Sequence, residues 1–150
     1  MLESLEIKPK IGFGEIKFGE FLDNIVMLLG EAEEIDSIEE DEEMNMLILH
    51  YWELGFSVIF EGKTKQVVSG FETDHPDATM FGKKVIDMPE KELLALLKEN
   101  GMTNFDSEQE EVDKRVSFDD EMLDFYFRDD KLVYVNWGVY VNEEGDIEDF

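Results

Sequence analysis

"LGFSVIFEGKTKQVVSGF", residues 54–71, decides how the rest of the chain is read. Two short apolar runs, residues 56–60 and 67–71, flank the turn "EGKTK". In the first run Phe56, Val58 and Phe60 share one side of an extended chain and Ile59 takes the other. Side chains that alternate with a period of two belong to a strand with one buried face. A short glycine-bearing turn between two such runs is the signature of an antiparallel hairpin.

Working outward, "MLILHYW" (46–52) alternates in the same way and adds a strand upstream, which makes a meander. Before it lies an acidic stretch, and before that "FLDNIVMLLG" (21–30), with Leu22, Ile25, Val26 and Leu29 at helical spacing and Gly30 at the C-terminal cap. The second half runs in the same order. "MPEKELLALLKENG" (88–101) reads as a helix that starts at Pro89, carries Glu90 and Glu92 at its positive end and stops at Gly101. "KRVSF" (114–118), "LDFYF" (123–127) and "KLVYVNWGVYV" (131–141) then alternate like strands. Tyr51, Phe56, Val58 and Phe60 correspond to Phe118, Leu123, Phe125 and Phe127 at an offset of 67, and Val67 and Phe71 to Val133 and Trp137 at 66. The expected architecture is α+β: two repeats of a helix plus an antiparallel meander, about 12–74 and 78–141, in one sheet with helices on one face. Both repeats belong to a single domain, and the join falls near Pro76.

This order of "GEIKFGEFLDNIVMLLGEAEE", "LGFSVIFEGKTKQVV", "FGKKVIDMPEKELLALL" and a second meander resembles the tandem helix-plus-meander domains. Beta-lactamase inhibitor protein and the BamE-like lipoproteins belong there, as do small bacterial proteins of suspected immunity type. The resemblance implies a binding or assembly role. A lipid anchor and disulfides do not carry over, because the chain has no cysteine.

Charge narrows the function classes. The 150 residues hold 39 acidic and 13 basic side chains, a formal net charge of −26. Such a field repels nucleic acid and anionic membrane and attracts basic proteins, so the expected partner is basic, with no nucleic acid and no membrane. Absence of cysteine removes thiolate catalysis and thiolate metal sites. The start "MLESLEIKPKIG" lacks a signal-like pattern, and if Met1 is the native start the expected location is cytoplasmic.

Glycines in "IGFGEIKFGE" (11–20) invite comparison with a phosphate loop, but they match no phosphate-binding spacing, and Glu15 and Glu20 would repel the anion. The expected role of Gly19 is to turn a short strand at Ile16 and Phe18 into the first helix. His50 falls opposite Leu49 and Tyr51, and His75 sits in "DHPD" beside Asp74 and Asp77. Two unpaired histidines are too thin a set for a metal, so no metal, cofactor or catalytic residue is expected. An enzyme using His75 with Asp74 or Asp77, and a BamE-like scaffold, are the alternatives.

The partner-binding residues expected from sequence are of two kinds. In residues 31–45 nine of fifteen are acidic, and Glu39, Glu40, Asp41, Glu42 and Glu43 at its centre read as a loop that draws in a basic partner. "DSEQEEVD" (106–113) reads as a second such loop. Anchors would come from the sheet face opposite the core. With Leu49, Tyr51, Phe56, Val58, Phe60, Val67, Phe125, Val135 and Trp137 inside, that face receives Trp52, Ile59, Tyr126, Tyr134 and Tyr140.

Overall fold

A computed structural model describes residues 2–39, 45–62, 65–142 and 146–148. Three two-residue strands open the chain: β1 (Ile7–Lys8), β2 (Gly12–Phe13) and β3 (Ile16–Lys17) form a small antiparallel sheet. Gly19, at φ 91°, then turns the chain toward helix α1 (Leu22–Leu29). Four strands follow, β4 (Glu34–Glu39), β5 (Asn45–Tyr51), β6 (Phe56–Gly62) and β7 (Val67–Thr73). A ribbon of β8 (Thr79–Met80) and β9 (Lys83–Lys84) leads to helix α2 (Glu90–Glu99). Then come β10 (Asp106–Gln109), β11 (Lys114–Phe118), β12 (Leu123–Arg128) and β13 (Lys131–Gly138). A last ribbon pairs β14 (Tyr140–Val141) with β15 (Ile147–Glu148).

Eight of these strands make one antiparallel sheet in the order β10-β11-β12-β13-β7-β6-β5-β4. The expected α+β fold of two helix-plus-meander repeats is therefore corrected: the chain is mostly β, built around this single sheet. Among the described residues the helices amount to eight and ten residues. Three of the sheets and ribbons, β1-β2-β3, β8-β9 and β14-β15, lie outside the repeat scheme. The acidic stretches expected as loops supply the two edge strands, β4 and β10. Edge strands need a neighbour on one side only, and charge on their free side blocks pairing with another sheet, so acidic sequence is compatible with a strand there.

One face of the sheet is dry. Tyr51, Phe56, Val58, Phe60, Phe71, Phe118, Phe125, Val135 and Trp137 are all buried on it, and Ile25, Leu93 and Leu97 reach it from the helices. The cover is shared between helices and the N-terminal strands. Phe13 packs edge-on against Phe56 at 5.3 Å and against Trp137 at 5.2 Å. The Trp137 indole N–H donates to the Gly12 carbonyl at 3.0 Å, which satisfies a buried donor and ties the N-terminal sheet to the main one. Helix α1 contributes less than its spacing implies. Only Ile25 is fully buried, Leu22 and Leu29 pack against the core in part, and Val26 is exposed.

A register shift between Ile59 and Phe60 changes one assignment. It sets Phe60 opposite Val68 and Glu61 opposite Val67, so Val68 takes the core-face position expected for Val67, which is nonetheless buried. At the Gly138 end of their pairing, β7 and β13 approach closely. A Cβ on Gly138 would lie 2.6 Å from the Ser69 carbonyl oxygen, and glycine at 138 allows that approach.

Candidate functional site

Among the described residues the buried core cluster lies on one face of the eight-stranded sheet, and the other face is the more open one. Cross-strand registers lay out the open face row by row. One row runs Glu34, His50, Ser57, Glu72, Asn136, Asp124, Ser117, Asp106 across all eight strands, and each member is polar. Beside it, Tyr134 faces Tyr126, which faces Arg115, which faces Glu108. On the other side Ile48 faces Ile59, which leans over Gly70. Carboxylates outnumber cations on these rows. The guanidinium of Arg115 is already held by Glu108 at 2.6 Å and Glu110 at 3.5 Å.

The polar row contains a connected group. His50 Nδ1 lies 2.7 Å from the Ser57 hydroxyl, and His50 Nε2 lies 2.8 Å from the Asp36 carboxylate on the edge strand. Both ring nitrogens are engaged, so the imidazole is held in one orientation. Trp52 stacks on it, ring centroids 4.4 Å apart and planes 10° from parallel. That tryptophan stands in the 3-10 turn Trp52–Leu54 that follows β5, closed by Gly55 at φ 81°. It is 58% exposed.

A cleft of about 270 Å³ opens over this end of the sheet. His50, Ser57 and Glu72 form part of its lining, with Trp52, Asp74 and Tyr134 around them, and no lysine or arginine lines it. Burial pushes the Glu72 carboxyl above its ordinary value; His50 pulls it down and Asp74 adds to the rise. Tyr134 stacks on Tyr126 at 4.2 Å and 12°. Its phenol is pushed up to about 12, first by burial and then by Tyr126 and Glu72. A second shallow groove, about 330 Å³, is lined by Ile59, Gly70, Asp124, Asn136, Gly138 and Tyr140.

Set against sequence, these positions divide. Tyr126 and Tyr134 fall on the open face as expected and form a direct cross-strand pair, and Ile59 joins them. Trp52 reaches the face from a turn, not from a strand. Tyr140 belongs to the β14-β15 ribbon, outside the main sheet, and borders the face at the second groove. Glu39 ends β4, while Glu40, Asp41, Glu42 and Glu43 lie outside the described residues.

Asp36, Ser57 and Glu72 were not singled out by sequence reasoning, and His50 was set aside. Alternation alone places His50 opposite the core; the row that joins it to Ser57 and Glu72 needs the register of two hairpins. Asp36 is one acid in a run of many. His75, the residue of the enzyme alternative, is engaged locally: its Nδ1 accepts the Asp77 backbone N–H at 2.9 Å, and Asp77 pairs with Lys84 at 3.0 Å. Among the described residues no cluster of three or more potential metal ligands is present. No helix among them is long and apolar enough to cross a membrane.

No family model matches the chain, and no curated protein matches it. Among solved structures, an extracellular protein containing an SCP domain from Bacillus anthracis str. Ames is similar, at 15% identity and a TM-score of 0.47. The match covers 88% of this chain and 49% of that one, so this chain spans about half the length of that protein. A likeness of this size assigns no function.

Proposed function

We propose that the chain is a stoichiometric binding protein that captures a basic protein through the open face of its sheet. The observation that carries this reading is the face itself: half-exposed tyrosines and an exposed tryptophan, set among carboxylates, with Arg115 and Arg128 already paired to acids. A net charge of −26 steers a cationic partner toward such a surface and raises the encounter rate, while desolvated aromatic anchors hold it. The most fitting partner is a nuclease-type toxin, whose own surface is basic because it binds phosphates. An acidic protein that covers that surface acts as an immunity-type inhibitor, in line with the resemblance noted above.

Turnover is the weaker reading on chemical grounds. Ser57, His50 and Asp36 have the composition of a nucleophile relay, yet Ser57 is 6% exposed and lies within β6, between paired strands on both sides. Its neighbouring backbone N–H groups serve the sheet ladder, and acyl transfer needs free donors aimed at the developing oxyanion.

Affinity capture from a lysate, with wild type and a Tyr126→Ala/Tyr134→Ala variant in parallel, tests the proposal. The expected result is one basic protein retained in equimolar amount by wild type, lost with the variant, and released by raised salt. Retention of neutral or acidic proteins, or retention indifferent to the substitutions and to salt, overturns it.

A further inference from the structure

We propose that the cleft over His50, Ser57 and Glu72 is a receptor for a single arginine side chain presented by the basic partner. This rests on the binding reading above and gives it a specific contact.

Size comes first. At about 270 Å³ the cleft falls below the range typical of drug-sized ligands, roughly 300–1,000 Å³, and suits one long side chain. Its lining carries the two carboxylates Glu72 and Asp74 and no fixed cation. Among the described residues the Glu72 carboxylate makes no hydrogen bond or ion pair, although it is partly buried and its acidity is suppressed by that burial. A partly desolvated carboxylate without a donor is a group that gains from an incoming cation, and a charge-assisted hydrogen bond is about twice as strong as a neutral one.

Planarity comes next and separates arginine from lysine. Trp52 and His50 both line the cleft with their rings stacked in parallel, and the imidazole is pinned by Ser57 and Asp36. Tyr134 contributes a second aromatic wall, itself backed by Tyr126. A guanidinium stacks on such faces and meets a carboxylate with two parallel donors; an ammonium does neither as well. Anions are disfavoured by the same carboxylates. The pinned His50 is therefore a positioning residue: it holds the indole where a guanidinium can slide over it.

The test uses blocked hexapeptides, one with six arginines and one with six lysines, titrated into the full-length protein at fixed ionic strength near 0.15 M and followed by calorimetry. Wild type should favour the arginine peptide by about 3- to 5-fold, the worth of an exposed cation–π contact. Trp52→Ala should erase that preference, and Glu72→Gln should weaken arginine-peptide binding about 10-fold with a smaller effect on lysine. Thermal melts of both variants check folding, and Glu72→Gln in particular is expected to be at least as stable as wild type. Equal binding of the two peptides by wild type, or variants that bind as wild type does, overturns the arginine receptor while leaving the acidic binding face intact. Failure of both peptides to bind, even at low salt, overturns the receptor and the binding face together.

Discussion

Glu72 shows how one residue links burial to function. Its carboxyl binds a proton more tightly folded than unfolded, because burial, with help from Asp74, disfavours the charge. Across the window between the two pKa values the folded state holds more protons, so stability falls as pH rises through it. Above that window the full cost persists; below the unfolded value, near about 4.3, it vanishes. Glu72→Gln should therefore melt about 1–2 °C above wild type at pH 7, with the gap closing below about pH 4. A gap that widened on acidification would contradict the assignment. Gly138 makes the opposite case. Alanine there would drive a methyl to within 2.6 Å of the Ser69 carbonyl, a backbone atom that cannot step aside without moving β7. Urea titration of Gly138→Ala should show a loss of about 2 kcal/mol, in the range of overpacked core substitutions. Trp137→Phe should cost a similar amount, about 2–3 kcal/mol, because it removes ring volume and the indole hydrogen bond to the Gly12 carbonyl.

At the level of elements, the edge strands matter most. β10, "DSEQ", is exposed at all four positions, and β4 carries Glu34 and Asp36 at the other edge. A free edge offers unpaired backbone groups to any other strand, and charged side chains are the usual defence. Replacing Asp106 and Glu108 with valine removes that defence on β10. The double variant should associate in a concentration-dependent way by light scattering under conditions where wild type does not. If the two proteins scatter alike, the acids on β10 serve only as surface charge. Helix α1 stands out for a different reason. Its Val26, Met27 and Leu28 are exposed, Met27 at 86%, so its apolar sequence exceeds what the core takes up.

For the whole molecule the controlling quantity is charge. With 26 excess negative charges the compact state repels itself, and mobile ions relieve that repulsion over a Debye length of about 10 Å at 0.1 M salt. Raising sodium chloride from about 10 mM to 500 mM should lift the melting temperature by several degrees, while the same change slows association with a cationic partner. A melting temperature independent of salt would mean that the acids are already compensated within the fold. The two trends oppose each other, and that opposition separates self-repulsion from partner attraction in one set of measurements.

Alternation, caps and turns are local properties, and sequence carried them. Phe56, Val58 and Phe60 inside with Ile59 outside, Gly30 and Gly101 at helix ends, and the turn at Gly19 all depend on neighbours a few residues away. What sequence could not hold was anything set by distant partners. Acidic stretches became edge strands only because β5 and β11 offered them hydrogen bonds, and the N-terminal strands entered the core through a contact 125 residues apart, Trp137 to Gly12. Composition made the acidic segments look like solvated loops. The cleft is equally non-local: His50, Ser57, Glu72 and Tyr134 come from four strands, and the register of successive hairpins, including a bulge after Ile59, decides which side chains meet. Periodicity fixes the face on which a residue lies, but only strand pairing supplies its neighbours, because pairing is a long-range hydrogen-bond choice that no single segment encodes.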